Sequence, residues 1–240
     1  MEHSLVIIPT YNEIENVESI IKAVFQQSDA VHVLIVDDNS PDLTAGKVKE
    51  LQSQFTNRLF LEEREAKTGL GTAYIHGFKW ALARDYQYIF EMDADFSHNP
   101  KDLPRLYAAC QDQHADVAIG SRYIKGVNVV NWPLSRVLMS YMASIYVRII
   151  TGMKIQDTTA GFVCYKREVL ATIDLDQIKF IGYAFQIEMK FKAYLNQFNI
   201  IEVPVIFTDR TKGESKLSSG IISEAIFGVI TMKFKSLFKK

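Results

Sequence analysis

The chain is poor in cysteine: Cys110 and Cys164 are the only two among 240 residues. Two thiols in apolar surroundings make no disulfide scaffold, so a reducing compartment is expected. An excess of either charge is also lacking. There are 27 Lys and Arg against 28 Asp and Glu, a net charge of −1. Such a balance supplies no global field for nucleic acid, and none is expected as a partner. No uncharged apolar run reaches the ~18 residues of a spanning helix. Val137–Val147 comes near, but Arg136 and Arg148 bound it. The first residues lead almost directly into Leu5-Val6-Ile7-Ile8, with no basic segment and no small-residue cleavage site, so no secretory leader is expected. Internal repeats and low-complexity linkers are absent too. That leaves one large domain, or one domain with an appendage.

What is present is apolar sequence, 48% of the chain, arranged in alternating patterns. Short apolar runs at 5–9, 31–36, 58–62, 86–92 and 116–119 read as strands. Helical spacing at 13–27, 44–55 and 72–84, and from Asn99-Pro100 onward, separates them. This alternation predicts an α/β fold with a mainly parallel sheet flanked by helices. The pattern loosens after Arg122. Leu134–Ile150 reads as an apolar helix with one polar stripe, Arg136, Ser140, Ser144 and Arg148. Strands are expected at 161–165 and 200–207 and a helix at 183–196. Residues 217–240 form a last helix, apolar early and basic late.

The acidic residues sit where strands stop. Asp93-Ala94-Asp95 follows the 86–92 strand, and the carboxyl ends of parallel strands are where α/β proteins bind ligands. Two hard carboxylates suit Mg²⁺ or Mn²⁺, ions that usually serve phosphates. An Asp pair can also be plain turn chemistry. The spacing after Asp93 excludes an EF-hand, since His98 and Pro104 stand where Gly and Glu are required. A phosphatase with an Asp-x-Asp nucleophile would carry its pair on the first strand. Pro9-Thr10-Tyr11-Asn12-Glu13 and Asp37-Asp38 end the first two strands. Asn12 is expected to cap the next helix. Tyr11 offers a ring for a base and Glu13 a carboxylate for a ribose. Three acidic strand ends on one edge imply one cleft. Gly69-Leu70-Gly71 resembles part of a phosphate loop but lacks the third glycine of the dinucleotide fingerprint. The polar 209–216 loop carries Arg210, Lys212 and Lys216 and reads as a mobile phosphate clamp.

Taken in order, these strings resemble glycosyltransferase family 2, with its GT-A fold, and within it the polyprenol-phosphate mannosyltransferases. The resemblance runs through Pro9–Glu13, Val36–Pro41, Gly69–Gly71, Met92–His98, Gly120–Tyr123, Asp157–Phe162, Gly182–Glu188 and 209–216, nearly the whole chain. It implies a GT-A catalytic domain over 1–216, including an acceptor-side helix at about 134–150, and a basic membrane-proximal helix over 217–240. It implies that Pro9, Tyr11, Glu13, Val36 and Asp38 hold the donor nucleotide. Asp93, Ala94 and Asp95 would surround the metal and diphosphate, and Ser97, where some relatives carry Gln, would join the metal set. Arg122, Arg210 and Lys216 would engage phosphates, and Arg136 with Arg122 would meet the acceptor phosphate. Asp93, Asp95, Arg122 and Arg210 would be the catalytic set.

The implied reaction moves mannose from GDP-mannose to dolichyl or polyprenyl monophosphate, with inversion. UDP-glucose or UDP-N-acetylglucosamine as donor, or a silent nucleotide-binding regulatory subunit, are the competing readings. Asp157 and Glu188 are expected to be structural rather than basic groups. The two apolar helices with basic ends suggest a peripheral place on the cytoplasmic face of a membrane. Some relatives carry transmembrane helices after the catalytic domain. This sequence does not, and a membrane-anchored partner subunit is an expectation that goes with the difference.

Overall fold

The computed structural model describes residues 1–182, 184–209 and 219–238, with side chains in the last helix from Phe227 onward. In chain order the elements are β1 (Ser4–Thr10), α1 (Val17–Phe25), β2 (His32–Asp37), α2 (Thr44–Gln52), β3 (Leu59–Glu63), α3 (Leu70–Leu82) and β4 (Tyr88–Glu91). Then follow α4 (Leu103–Gln111), β5 (Val117–Ser121), β6 (Val129–Val130), α5 (Leu134–Thr151), β7 (Val163–Lys166), α6 (Arg167–Thr172), α7 (Ala184–Leu195), β8 (Ile200–Pro204), β9 (Phe207–Thr208) and α8 (Ser219–Phe238).

Seven strands form one sheet in the order β3-β2-β1-β4-β7-β5-β8. All neighbours are parallel except at β7, which runs antiparallel to both β4 and β5. Because β7 is reversed, the chain just before it arrives at the edge where the parallel strands end. Period-2 alternation divides each strand between two cores. Leu5, Ile7 and Ile89 point to the layer of α3, α6 and α7, whereas Val6, Ile8, Phe90 and Met92 point to the layer of α1, α2 and α4. α8 packs on α5 and α7, with Val229 buried in the first core.

Two expectations are corrected. The 200–207 run is not one strand: β8 stops at Pro204, and Phe207–Thr208 leaves the main sheet to pair with Val129–Val130. Pro204 has no N–H to continue the ladder. Asn12 does not cap α1. It lies in the left-handed region (φ 57°), its N–H goes to Ser40 Oγ, and α1 begins five residues on, at Val17.

Candidate active site

The cleft expected from the sequence corresponds to the carboxyl ends of β1, β2 and β4. Pro9 and Val36 are paired in register on β1 and β2, and Val36 is fully buried. Asp37 is a buried turn-former, accepting from Thr10 Oγ1 at 2.8 Å and Ser40 Oγ at 2.6 Å. Its neighbour Asp38 turns to Arg64, whose Nε lies 3.2 Å from Asp38 Oδ1. The pair is not a well-aligned hydrogen bond, for Asp38 Oδ1 and Arg64 Nη1 both lack a hydrogen-bond partner among the described residues. Burial pushes the Asp38 carboxyl up, against the pull of Arg64. Tyr11 lies beneath Lys67, whose Nζ is 4.3 Å from the ring centroid. Glu13 accepts from Asn16 Nδ2 at 2.9 Å and joins the turn into α1.

The start of α3 ties this group to the acidic pair. Arg64 donates to Thr68 and, at 2.8 Å, to Thr72. Tyr74, two residues further on, donates to Asp93 Oδ1 at 3.3 Å. The Gly69-Leu70-Gly71 glycines have a packing role here. Gly69 takes φ 116°, and a Cβ on Gly71 would lie 2.8 Å from Phe185 and 2.9 Å from the Phe180 carbonyl.

Asp93-Ala94-Asp95 leaves β4 in a tight loop. Phe96 adopts the left-handed conformation (φ 61°), a strained state for a bulky residue. Asp95 Oδ1 accepts the Ser97 N–H at 3.0 Å, and the Asp93 N–H meets His98 Nδ1 at 3.1 Å. Burial pushes the His98 imidazole down to about 4, so the ring is neutral near pH 7 and accepts at Nδ1. Asp95 and Ala94 are buried, and the Asp93 side chain is one-third exposed. Ser97 Oγ is buried without a hydrogen-bond partner among the described residues. Two carboxylates and an orphaned hydroxyl are hard oxygen donors, a set that fits Mg²⁺ or Mn²⁺.

Arg122 follows β5 and is fixed by Asp157, which arrives just ahead of β7. The guanidinium donates to both carboxylate oxygens, at 2.7 and 2.6 Å, and the Arg122 N–H donates to Asp157 Oδ2 at 2.9 Å. Burial opposes ionisation of Asp157, but the Arg122 charge and hydrogen bonds outweigh it and hold the carboxyl below its usual range. Trp132 and Phe207 each lie 5.5 Å from the guanidinium carbon of Arg122. Arg136 stacks over Trp132 at 4.1 Å and donates to Asp209 at 2.8 Å. His98 stacks on Phe162 and meets Phe207 edge-on. The acidic loop, Arg122 and Arg136 therefore share one aromatic cluster. Glu188 accepts the N–H groups of Lys179 and Phe180, a structural role, as expected. Arg210 and Lys216 lie outside the described residues.

Sequence reasoning did not find Arg64, Lys67 or Trp132 beside the cleft, nor a buried polar group behind it. Glu91 and Lys190 are both 0% exposed. Burial pushes the Glu91 carboxyl up to about 8 and the Lys190 ammonium down to about 8, each opposed by the other's charge. The one available signal was a charge inside the apolar run Tyr86–Met92.

α5 is turned inside out. Its polar stripe faces the protein: Ser140 accepts from Tyr123, Ser144 is buried, and Arg148 donates to Gln156. Leu134 (72% exposed), Leu138, Met139, Met142 and Ile149 (74%) face outward. On α8, Phe227, Phe234, Leu237 and Phe238 are exposed as well. No described helix is long and apolar enough to cross a membrane.

Residues 5–174 match the profile of the family described as "Glycosyl transferase family 2". The chain is 47% identical over 228 residues to a polyprenol monophosphomannose synthase of Mycolicibacterium smegmatis, covering 95% of this chain and 86% of that one. It is 44% identical to an undecaprenyl-phosphate mannosyltransferase of Micrococcus luteus, covering 94% and 91%. Among solved structures, a glucosyl-3-phosphoglycerate synthase from Mycobacterium tuberculosis, in complex with Mn²⁺, UDP and glucosyl-3-phosphoglycerate, superposes with a TM-score of 0.67 at 16% identity, covering 97% and 78%. A mannosyltransferase from Pyrobaculum calidifontis, in complex with GDP-Man and Mn²⁺, does so at 0.61 and 16%, covering 99% and 64%. At these identities the structures speak for the fold, which is the mainly parallel, helix-flanked sheet expected from the sequence.

Proposed function

This chain belongs to glycosyl transferase family 2, and on that premise we propose that it transfers mannose from GDP-mannose to a polyprenyl or dolichyl monophosphate at a membrane surface. The observation that carries the acceptor half is α5. Its first turn brings Arg136 beside Trp132 and Arg122, and its outward face is apolar. A phosphate attached to a lipid needs both features in one place. The names of the relatives from M. smegmatis and M. luteus support the same reading.

In this reading Pro9, Tyr11, Glu13, Val36 and Asp38 hold the nucleotide. Asp93 and Asp95, with Ser97, would hold Mg²⁺ or Mn²⁺, which when bound supplies Lewis-acid stabilisation of the diphosphate. Arg122 is pre-oriented by Asp157 and adds charge-assisted hydrogen bonds to phosphate oxygens. Arg210 and Lys216 complete that set. Arg136 orients the acceptor. A phosphate monoester has a second pKa of about 6 and is largely ionised near neutrality, so the cleft must position it rather than deprotonate it. Attack opposite the leaving group converts an α-linked donor to a β-linked product. The apolar faces of α5 and α8, with Lys233, Lys235, Lys239 and Lys240 nearby in sequence, would rest on an anionic cytoplasmic leaflet. Residues 1–216 would form the catalytic unit and 217–240 the membrane-proximal helix.

The test is a donor panel against polyprenyl phosphate in vesicles. Label should enter the lipid phase from GDP-mannose, and Asp95→Ala should abolish it without changing the melting temperature. Label from UDP-glucose or UDP-N-acetylglucosamine instead would overturn the donor assignment. Tight nucleotide binding with no transfer from any donor would indicate a regulatory subunit.

A further inference from the structure

Behind the acidic loop lies a hydrogen-bonded chain of three buried side chains that the proposed chemistry does not use. Gln186 Nε2 donates to Glu91 Oε2 at 2.7 Å. Lys190 Nζ donates to Gln186 Oε1 at 3.3 Å, to the Gln186 carbonyl at 3.2 Å and to the Ala160 carbonyl at 2.6 Å. Gln186 is 3% exposed, and Glu91 and Lys190 are fully buried. A primary amide can give N–H to a carboxylate while accepting from an ammonium. Gln186 thereby joins Glu91 and Lys190 in a fixed order.

The two ends of this relay are the two halves of the cleft. Glu91 is the last residue of β4, two before Asp93. Strand alternation sends its side chain to the α3 and α7 layer, where Ile89 also points. Ala160 belongs to the loop that begins with Asp157, the residue that fixes Arg122. A second carboxylate pins that loop from the other side: Glu202 accepts the N–H groups of Gln156 and Asp157 at 2.7 and 2.9 Å. An apolar trio of equal volume would hold a sheet and a helix together as well as buried ions do. Directional hydrogen bonds fix relative position in a way that apolar packing does not.

We propose that Gln186 and Lys190 are positioning residues: with Glu91 they form a relay that sets the Asp93–Asp95 loop in register with the Asp157–Arg122 pair. The relay rests on the reading of those residues as the donor's diphosphate site. It predicts that donor binding and turnover depend on the order of donors and acceptors along the relay.

The test exchanges that order. Gln186→Glu places a carboxylate against Glu91. The double variant Glu91→Gln/Gln186→Glu restores one amide and one carboxylate, with the carboxylate now nearest Lys190. Fluorescent-GDP titration with and without Mn²⁺, melting temperature, and kcat and KM for GDP-mannose are read on both. Gln186→Glu should weaken GDP binding in Mn²⁺ and lower kcat, each tenfold or more, and the double variant should return both to within threefold of the parent. A folded Gln186→Glu protein within twofold of the parent on both readouts would overturn the relay. So would a double variant that recovers its melting temperature but neither affinity nor kcat, because the role would then be structural. If the single variant does not fold, the double variant alone decides, and its failure to fold also counts against the relay. Parent protein that binds GDP yet transfers no mannose would instead refute the proposed function. The binding and melting arms would still judge the relay.

Discussion

At the scale of single residues, the cleft is a set of charges held by other charges. Asp157 is buried with Arg122 on both its oxygens, and Arg122 is held in turn by Asp157 and Thr159. Removing one partner leaves the other as an uncompensated buried ion, at a cost of about 3–5 kcal/mol. Asp157→Ala should therefore lower the unfolding free energy from denaturant titration by that amount, and nucleotide affinity should fall with it. Asp157→Asn keeps the shape but not the charge and should fall between. A separate group, His32, sets an acid limit. Burial, and then the Arg58 charge, lower its pKa from 6.5, while Nδ1 stays 2.8 Å from Tyr86 Oη. Its folded pKa lies below the unfolded one, so its contribution to stability is complete above about pH 6.5 and is lost as pH falls through the window beneath. Thermal melts at pH 7.5 and 5.5 should differ less in His32→Gln than in the parent. An unchanged difference would remove His32 as the cause.

Which residues could be read from sequence follows from geometry. Asp38, Asp93 and Asp95 were legible because a strand's end fixes the edge at which its next residues emerge. Arg64 and Trp132 were not. Their places depend on how α3 and β6 approach neighbours far away in the chain, and no local spacing encodes that approach. Lys190 was hidden in α7, where Gln186, Glu188 and Lys190 are all buried among apolar residues; a buried lysine there looks in sequence like any surface lysine.

At the scale of elements, most helices and strands followed the apolar period. The misreadings occurred where tertiary contacts override it. Asn12 has the chemistry of a cap, but Ser40 and the β2 turn claim its backbone. The Ile200–Phe207 run was split because Pro204 ends one ladder and β6 offers another. α5 is the clearest case: the polar stripe was evident, but its inward orientation was not. Partners such as Tyr123 and Gln156 draw the stripe toward the protein. The outward apolar face then predicts lipid contact. Leu138→Glu/Met142→Glu should leave the melting temperature within about 0.5 kcal/mol equivalent, as expected of exposed sites. Co-sedimentation with anionic vesicles should drop at least tenfold. Equal sedimentation would take α5 out of the membrane contact.

At the scale of the whole molecule, the reversed strand β7 organises the site. A parallel strand in its place would start from the opposite edge and carry Asp157 and Ala160 away from Arg122. The single antiparallel strand lets one sheet edge collect β1, β2, β4 and β5 ends together with a loop that enters β7. This reversal was not legible from β-α alternation, which describes the connections between strands and not their order in the sheet.

The inverted helix has one further consequence, for the protein's behaviour in plain buffer. Side chains such as Leu134 and Ile149, about three-quarters exposed, gain most from any apolar covering, whatever supplies it. In lipid-free solution the nearest such covering is the same face of a second copy. Self-association should set in as concentration rises, reverse on dilution or with mild detergent, and diminish in the Leu138→Glu/Met142→Glu protein. The feature proposed to meet a bilayer would thus set the upper limit of the chain's solubility without one.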